Sequence, residues 1–405
     1  MTNDDPPRSK EEYLSLAVKF FLVLSFLVIS FEAINGLIRG NVFFGDFLTY
    51  FTASEVFLTG EDPYSLAVLE TVDERVRFPL VYPPLVLFCF SFLVPLGYPI
   101  VTGLYIAASI LSLAFVYTAQ VQLVPLSIRG WWLPSFYLFA FSAAAFQSFM
   151  TGNLAVVLYA LLFTSLLALK RGRSSLFYAA VLVAASVKIY LIIFLLLAPL
   201  CLGRRETKKV VLVAFLLALE YGISYVAFPE LFSKFIEQAG WLATVDVGRG
   251  VFGLAMRVIE AVDSKTGVKL PVFLAYAAYA AFAATILLVS LLAAKRSVQV
   301  SGEAARLDLL PFFVVAVFLC LPRLKMYDIF AVVLPLVGMV TRHLSTGVYR
   351  PSLGAILVVL AAVPFSTRFQ DEIFLVFGQH AEFWIMLTAW LLVVRRCFHG
   401  GARPA

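Results

Sequence analysis

Charged residues are scarce in this chain of 405 residues: Asp, Glu, Lys and Arg together make up only 14%. Soluble globular proteins carry about 25% charged and about 45–50% apolar residues, whereas this chain is 62% hydrophobic. This composition excludes an ordinary soluble enzyme or binding module. The net charge of +6 does not indicate a nucleic-acid partner, because the basic residues fall in short segments between apolar runs, as in membrane proteins.

Cysteine and histidine are also rare. Cys89, Cys201, Cys320 and Cys397 lie in or at the ends of apolar segments without paired spacing, and the three histidines show no metal-ligand spacing. Disulfides and a zinc site are therefore not expected. The sequence also lacks a Walker loop, a Rossmann glycine motif and a nucleophilic serine or cysteine with a base beside it. We expect neither a metal nor an organic cofactor.

Apolar runs dominate the chain instead, and a membrane-spanning helix needs about 20 of these residues in succession. Clear or shorter runs predict spans near 14–38, 99–123, 131–149, 153–169, 209–228, 271–294, 308–321, 327–341, 352–365 and 379–394. Two stretches are ambiguous: 83–96 is short and bracketed by prolines, and 176–202 carries Lys188 near its middle. The sequence predicts an all-α polytopic membrane protein that forms a single integral membrane domain over residues 1–405.

Positive charge sets the expected orientation, because Lys and Arg are enriched in cytoplasmic loops. The amino terminus is basic, so the tail at 1–13 should be cytoplasmic and the loop at 39–82 should lie outside. That loop holds seven acidic residues and three arginines. The basic cluster at 170–173 should lie inside. An odd number of crossings must separate the two, yet four apolar segments lie between them, so one of these segments does not cross.

Two arrangements satisfy this parity. In the preferred one, 83–96 stays in the membrane interface and 176–202 is a hairpin with Lys188 at or below its outer tip. This gives about twelve transmembrane helices, both termini in the cytoplasm, and two large outer loops at 39–82 and 229–270, the first of them helical. In the rival arrangement, 83–96 crosses and 176–202 is a single span, which leaves the basic cluster at 170–173 outside.

The preferred arrangement gathers polar groups on the outer face. Asp46 follows the first span and precedes a helix-like stretch that ends at Gly60 and Pro63. A carboxylate placed there could act as a general base at the membrane surface, or simply cap the helix. Lys188 would cost several kcal/mol in an apolar hairpin unless it snorkels to the interface or binds an anion. For Glu220, in the middle of a span, we expect a structural partner on a neighbouring helix.

The order of three motifs resembles glycosyltransferase family 87, the integral-membrane, mannosyltransferase-like group with the GT-C fold. The family's Asp-Phe-x-x-Tyr-x-x-Ala pattern after the first span is matched at 46–53, and its Gly-x-Asp-Pro-Tyr pattern at 60–64. Its Tyr-Pro-Pro pattern is matched at 82–84.

Later features follow in the same order. The family's Gly-Gln-x-Asn turn is similar to Thr151-Gly152-Asn153, which lacks the Gln. Its lysine after small residues matches Lys188, and its late proline turn resembles 322–328, where no His is present. The resemblance covers residues 40–340.

This resemblance implies an inverting transferase that takes a sugar, usually mannose, from a polyprenyl-phosphate donor on the extracytoplasmic face of the cell membrane and passes it to a lipid or glycan acceptor. It implies that Asp46 is the general base on the acceptor hydroxyl. A donor phosphate at the interface would be stabilised by Lys188, Arg323 and Lys325. The remaining substrate-binding candidates are Tyr50, Tyr64, Tyr82, Asn153, Arg249 and Tyr327.

Two other functions stay open. A polytopic transporter or lipid flippase would use Lys188 and Glu220 as intramembrane substrate or proton sites, and it would be expected to show internal symmetry, which is not visible in this sequence. A non-catalytic membrane subunit would keep the fold without the chemistry. The acidic first loop with Asp46 favours the enzyme over both.

Overall fold

The computed structural model describes residues 44–124, 132–139, 143–301, 307–344 and 380–399, together with scattered helical positions between 16 and 31. Every regular element within these ranges is helical. The predicted cytoplasmic tail at 1–13 and the predicted span at 352–365 lie outside the described residues, and the predicted first span at 14–38 is described only in part.

From residue 44 onwards the described α-helices are α1 (Gly45–Thr59), α2 (Leu66–Val72), α3 (Pro84–Ser91), α4 (Tyr98–Leu123), α5 (Trp132–Phe139), α6 (Ala144–Thr151), α7 (Ala155–Lys170), α8 (Ser174–Val187), α9 (Leu197–Leu202), α10 (Thr207–Ala227), α11 (Pro229–Val245), α12 (Val251–Thr266), α13 (Phe273–Ser301), α14 (Leu310–Leu319), α15 (Met326–Ile329), α16 (Val333–Leu344) and α17 (Ala381–His399). Short 3-10 helices lie at Val94–Leu96, Ile189–Leu196, Arg204–Glu206 and Phe330–Val332.

Three of the described helices are long and apolar enough to cross a membrane: Tyr98–Leu123, Thr207–Ala227 and Phe273–Gln299. A fourth span results if Leu133–Phe139 and Ala144–Thr151, bent by 61° relative to each other, count as one. The most apolar window of α10 is only 11% buried. Because apolar surface on this scale is favourable only against lipid or another protein, the chain is a helical membrane protein.

Several predicted spans correspond to shorter helices. α7 has 16 residues, α8 has 14 and α14 has 10, whereas a full crossing takes about 20. Every residue of α14 is buried, so this helix packs inside the protein and does not face lipid. The number of about twelve full spans stays a prediction.

One end of the bundle is marked by basic side chains and will be called the Lys170 end. Lys170 Nζ, at the close of α7, donates to the backbone oxygen of Gln122 at the close of α4, at 3.3 Å. Lys209 Nζ, in the first turn of α10, donates to Ser174 Oγ at the start of α8, at 2.7 Å.

The opposite end is marked by Asp46 and will be called the Asp46 end. Asn153, just before α7, donates to Asp46 and accepts from Lys188. The 16 residues of α7 separate the two ends by about 24 Å. Both predicted outer loops reach the Asp46 end, because Asp62 pairs with Lys234 of α11 at 2.9 Å.

Residues 174–202 run up and back between these ends. α8 leads from the Lys170 end to Lys188, whose extended backbone ends the helix. The chain then returns through a 3-10 helix of 8 residues and an α-helix of 6, about 25 Å in all. Tyr178 OH donates to the backbone oxygen of Glu206 at 3.2 Å, back at the Lys170 end. The structure thus has the chain reversal predicted at 176–202, with Lys188 at its tip; that this tip lies on the outer side of a membrane stays a prediction.

The segment at 83–96 begins and ends beside α1. Before it, the hydroxyl of Tyr50 donates to that of Tyr82 at 3.1 Å. After it, the ring of Tyr98 packs edge-on against Phe51, with centroids 5.3 Å apart. Since Tyr50 and Phe51 both belong to α1, the segment stays at the Asp46 end and does not pass between the two ends.

The two ends should lie on opposite sides of the membrane. Thr71, on α2, and Arg173, between α7 and α8, are both exposed. In a background without the four native cysteines, Thr71→Cys should react with a membrane-impermeant maleimide in intact cells, and Arg173→Cys only after permeabilisation, because basic loops stay inside. The reverse pattern would invert the orientation, whereas equal labelling of both positions in intact cells would contradict the fold.

Candidate functional site

Asp46 lies in the first turn of α1, directly after a strained stretch of backbone. Phe44 has a φ of 59°, a left-handed conformation that costs a residue other than glycine about 1–2 kcal/mol. Two contacts with α6 hold it there: Phe44 N donates to the backbone oxygen of Met150 at 3.0 Å, and its ring packs edge-on against Phe149 at 5.4 Å. These contacts therefore fix the backbone position from which the Asp46 side chain projects.

Asn153 connects Asp46 to Lys188. Its Nδ2 donates to Asp46 Oδ2 at 2.6 Å, while its Oδ1 accepts from Lys188 Nζ at 2.6 Å and from the backbone N–H of Ala155 at 2.9 Å. The amide can take only this orientation, because a flipped amide would turn its NH₂ group towards two other donors. A carboxylate and an ammonium group are thus held apart by one rigid, neutral bridge.

Gly152 lets α6 and α1 approach closely enough for this bridge to form. Its φ is +71°, and a Cβ added there would lie 2.9 Å from Phe47 Cβ and 3.0 Å from Phe44 Cα. Both the backbone conformation and the lack of space require glycine. The turn at 151–153 is thereby pressed against the start of α1, where Asp46 lies.

Lys188 is buried, with 7% of its surface exposed, and aromatic rings surround its ammonium group. Nζ lies 4.6 Å from the ring centroid of Tyr327, 5.7 Å from that of Tyr82 and 5.9 Å from that of Tyr190. The faces of aromatic rings attract a cation, and this attraction is stronger when the cation is shielded from water. In the described structure the ammonium group therefore points into the site and is not exposed to solvent.

A second carboxylate, Asp328, lies behind the aromatic rings and is fully buried. Its Oδ1 accepts hydrogen bonds from Tyr159 OH at 2.9 Å and Tyr190 OH at 3.2 Å. Its Oδ2 accepts from the backbone N–H of Lys325 at 3.0 Å. Asp328 thus fixes the turn that carries Lys325 and Tyr327, and it brings a negative charge near Lys188.

The turn at 322–328, here called the cationic turn, presents Arg323 and Lys325 to the end of α11. Arg323 Nη2 and Nε donate to the backbone oxygen of Asp246 at 2.7 and 3.0 Å, and Lys325 Nζ donates to the same oxygen at 2.8 Å. Lys325 also pairs with the Asp246 carboxylate. The charges of Lys188, Lys325 and Asp246 all act on Asp46, so these groups form one site at the Asp46 end.

Burial changes the acidity of the groups outside the membrane spans. Desolvation raises the pKa of Asp46 above its ordinary value, while the Asn153 hydrogen bond and the Lys188 charge oppose that rise. A higher pKa makes the carboxylate a stronger base while it stays ionised. Burial, aided by the nearby charge of Arg323, lowers the pKa of Lys325 to about 8, against the pull of Asp246.

The three candidate tyrosines of the first loop are joined by hydrogen bonds, and Tyr82 is the one whose ring faces Lys188. Tyr64 OH donates to the backbone oxygen of Tyr82 at 2.8 Å, and Tyr50 OH donates to Tyr82 OH. Tyr64 and Tyr50 are 1% and 4% exposed. In the described structure the hydroxyls of Tyr50 and Tyr64 are bound to Tyr82, whose ring faces Lys188, so a contact of Tyr50 or Tyr64 with substrate stays a prediction.

Arg249, another predicted substrate residue, is held elsewhere. Its Nη1 pairs with Glu382 Oε1 of α17 at 2.8 Å, and its backbone N–H donates to the oxygen of Leu324 at 2.7 Å. The side chain therefore anchors the chain after α11 to α17, and the backbone N–H anchors it to the turn that carries Arg323 and Lys325. A contact of Arg249 with substrate stays a prediction.

Glu220 has the structural partner that was expected, because Ser186 Oγ of α8 donates to its carboxylate. It also lines a groove between α3 and α10 with a volume of about 400 Å³. The other lining residues are Leu85, Phe88, Leu216, Leu219, Ile223, Ser224, Ala227 and Phe228. The groove is almost wholly apolar.

Sequence reasoning placed Asp46, Asn153, Lys188 and the cationic turn on one face, and the structure brings them together. It counted Asp328 as the carboxylate of that turn without naming it as a site residue, and it missed Tyr159 and Tyr190. The available signal was an acidic residue at the start of an apolar helix, which is costly without partners.

Comparisons with protein families, with curated proteins and with solved structures find no match for this chain.

The contact between α6 and α1 predicts a stability difference between two glycines. Gly152→Ala places a methyl group against Phe47 and Phe44, whereas Gly172→Ala, also at positive φ, meets nothing within 4 Å. Gly172→Ala should lower stability by about 1 kcal/mol, the usual left-handed penalty, and Gly152→Ala by clearly more. Thermal unfolding of both variants in detergent measures the difference. Equal melting temperatures would contradict the close approach at Gly152.

Proposed function

We propose that this protein is a membrane glycosyltransferase that moves a sugar from a polyprenyl-phosphate donor to a lipid or glycan acceptor. The family resemblance indicates mannose as the sugar. The observation that carries the proposal is the chain of two 2.6 Å hydrogen bonds from Asp46 through Asn153 to Lys188. It sets a base and an anion-binding cation at a fixed separation in one site.

In the proposed reaction Asp46 acts on the acceptor, and the cations act on the donor phosphate. Asp46 accepts the proton of the acceptor hydroxyl, and the acceptor oxygen bonds to the anomeric carbon. The bond from that carbon to the phosphate oxygen breaks on the opposite face, so the configuration inverts and the electron pair leaves with polyprenyl phosphate. Lys188, Arg323 and Lys325 stabilise the charge that develops on the leaving phosphate. Because Asn153 holds Oδ2 of Asp46, Oδ1 takes the proton.

The groove between α3 and α10 supports a lipid-linked donor. Only 11% of the most apolar window of α10 is buried, as expected of a helix that faces lipid, so a hydrocarbon chain would be the natural occupant of the groove. α3 follows directly on Tyr82, and Ser186, which binds Glu220 in the groove wall, lies two residues before Lys188. A prenyl chain in the groove would therefore bring its phosphate towards Lys188.

The finer architecture belongs to the same proposal. We place the Asp46 end on the extracytoplasmic face, because the Lys170 end carries the basic loops, and both termini in the cytoplasm. This arrangement suits a GT-C-type fold with about twelve spans, in which helices at the membrane surface contribute the base. α1 and α2 would be those helices.

A transporter or flippase is the second candidate, and the groove with Glu220 in its wall is the observation that favours it. In that function Lys188 and Glu220 would exchange partners during a transport cycle. The enzyme accounts for more of the site, since transport gives no role to the fixed contact between Asp46 and Asn153.

Replacing the base tests the proposal directly. Asp46→Asn should lower the rate of sugar transfer by about 10²–10⁴, the usual contribution of general-base catalysis, with donor binding nearly unchanged. The measurement is transfer from a labelled polyprenyl-phosphate sugar by purified protein. Glu55→Gln, which removes a partly exposed carboxylate from the same helix, is the matched control and should keep full activity. An Asp46→Asn rate within a few-fold of wild type would rule out this role.

A second experiment tests whether Lys188 binds the donor phosphate. Lys188→Met should weaken binding of farnesyl phosphate about ten- to a hundredfold, because hydrogen bonds to charged groups are worth about 1.5–3 kcal/mol. Lys188→Arg should restore part of the affinity, and farnesol, which has no phosphate, should bind both variants equally. If Lys188→Met bound farnesyl phosphate normally and impaired only acceptor use, the assignment would be wrong.

A further inference from the structure

Asp246 occupies the place where Arg323 and Lys325 would hold a phosphate. Both cations donate to its backbone oxygen, and its carboxylate pairs with Lys325 and lies 3.8 Å from Arg323 Nη2. The carboxylate side chain is 57% exposed, whereas that of Lys325 is 9% exposed. An exposed carboxylate thus covers a buried cation.

The backbone around this contact is fixed independently of the carboxylate. The backbone oxygen of Asp246 belongs to the carboxyl end of α11, where the helix dipole favours cations. A Cβ at Gly248 would meet the oxygen of Leu324 at 3.0 Å, so the chain lies directly on the cationic turn. Arg249, bound to Leu324 and Glu382, anchors it. The Asp246 carboxylate can therefore leave without moving the loop.

We propose that the Asp246 carboxylate is an internal anion that occupies the phosphate site of the empty protein and is displaced by an incoming phosphate-bearing lipid. The inference rests on the proposed function, in which Arg323 and Lys325 receive the donor phosphate. Two adjacent cations, of which Lys325 is buried and Arg323 is partly exposed, repel each other and need an anion nearby. A carboxylate on a short tether satisfies that need, and a phosphate monoester, with more charge and three acceptor oxygens, replaces it.

The replacement of the Asp246 carboxylate by a phosphate determines which lipids can bind at the cations. A neutral lipid cannot displace Asp246, because it would leave the two cations without an anion. A lipid phosphate compensates both cations and frees the carboxylate to turn into water, where it is already half exposed. Asp246 therefore lowers affinity for the donor and at the same time keeps chains without a phosphate from completing the site.

The experiment is binding of farnesyl phosphate to purified protein, with farnesol as the neutral probe. Asp246→Asn keeps the size and the backbone oxygen but removes the competing charge. It should bind farnesyl phosphate about two- to fivefold more tightly than wild type, the scale of a partly exposed ion pair, with farnesol binding unchanged. Asp246→Ala should behave alike. Asp263→Asn, an exposed acid of the same outer loop, should match wild type.

Two outcomes separate the proposals. If Asp246→Asn and Asp246→Ala bind farnesyl phosphate as wild type does or more weakly, while Lys325→Met still lowers that binding, Asp246 is not a competing anion and the phosphate site stands. If Lys325→Met and Arg323→Met leave farnesyl phosphate binding unchanged, the donor site of the proposed function is itself wrong. In the Lys325→Met background, Asp246→Asn should lose most of its effect.

Discussion

A buried ammonium group is the constraint on which the site depends. Lys188 interrupts an apolar hairpin at the boundary between α8 and the returning 3-10 helix, where an uncompensated charge would be very costly. The surrounding structure supplies an amide oxygen, three aromatic faces and a nearby carboxylate. The same Asn153 amide that gives its oxygen to Lys188 binds Asp46 through its NH₂ group. The position of the carboxylate is thus linked to the burial of the lysine.

The site is balanced in charge, which explains how three cations coexist in a protein with so few charged residues. Lys188, Arg323 and Lys325 are matched by the carboxylates of Asp46, Asp328 and Asp246. Asp328 is buried and hydrogen-bonded on both oxygens, so it acts as a permanent partner. Asp246 is exposed and can be exchanged for a ligand.

The sequence alone was enough to predict a helical membrane protein and the chain reversal at 176–202, and to single out Asp46 and Lys188, because these follow from the apolar runs and from the placement of the charged residues. It did not predict the connections. Asn153 lies 107 residues from Asp46 and 35 from Lys188, and only packing shows that they touch. For the same reason Tyr64 and Arg249 were predicted to meet substrate, although tertiary partners use their polar atoms.

The central claim is that this site breaks and makes a glycosidic bond at the membrane surface. The most direct measurement reconstitutes wild-type protein in liposomes with a polyprenyl-phosphate mannose labelled in the sugar and a membrane-lipid extract, and then separates the lipids and polymers. The proposal predicts that label moves from the carrier to a new product and that an equal amount of polyprenyl phosphate is released. Label that stays on the intact carrier but crosses to the other leaflet would contradict it and identify a transporter.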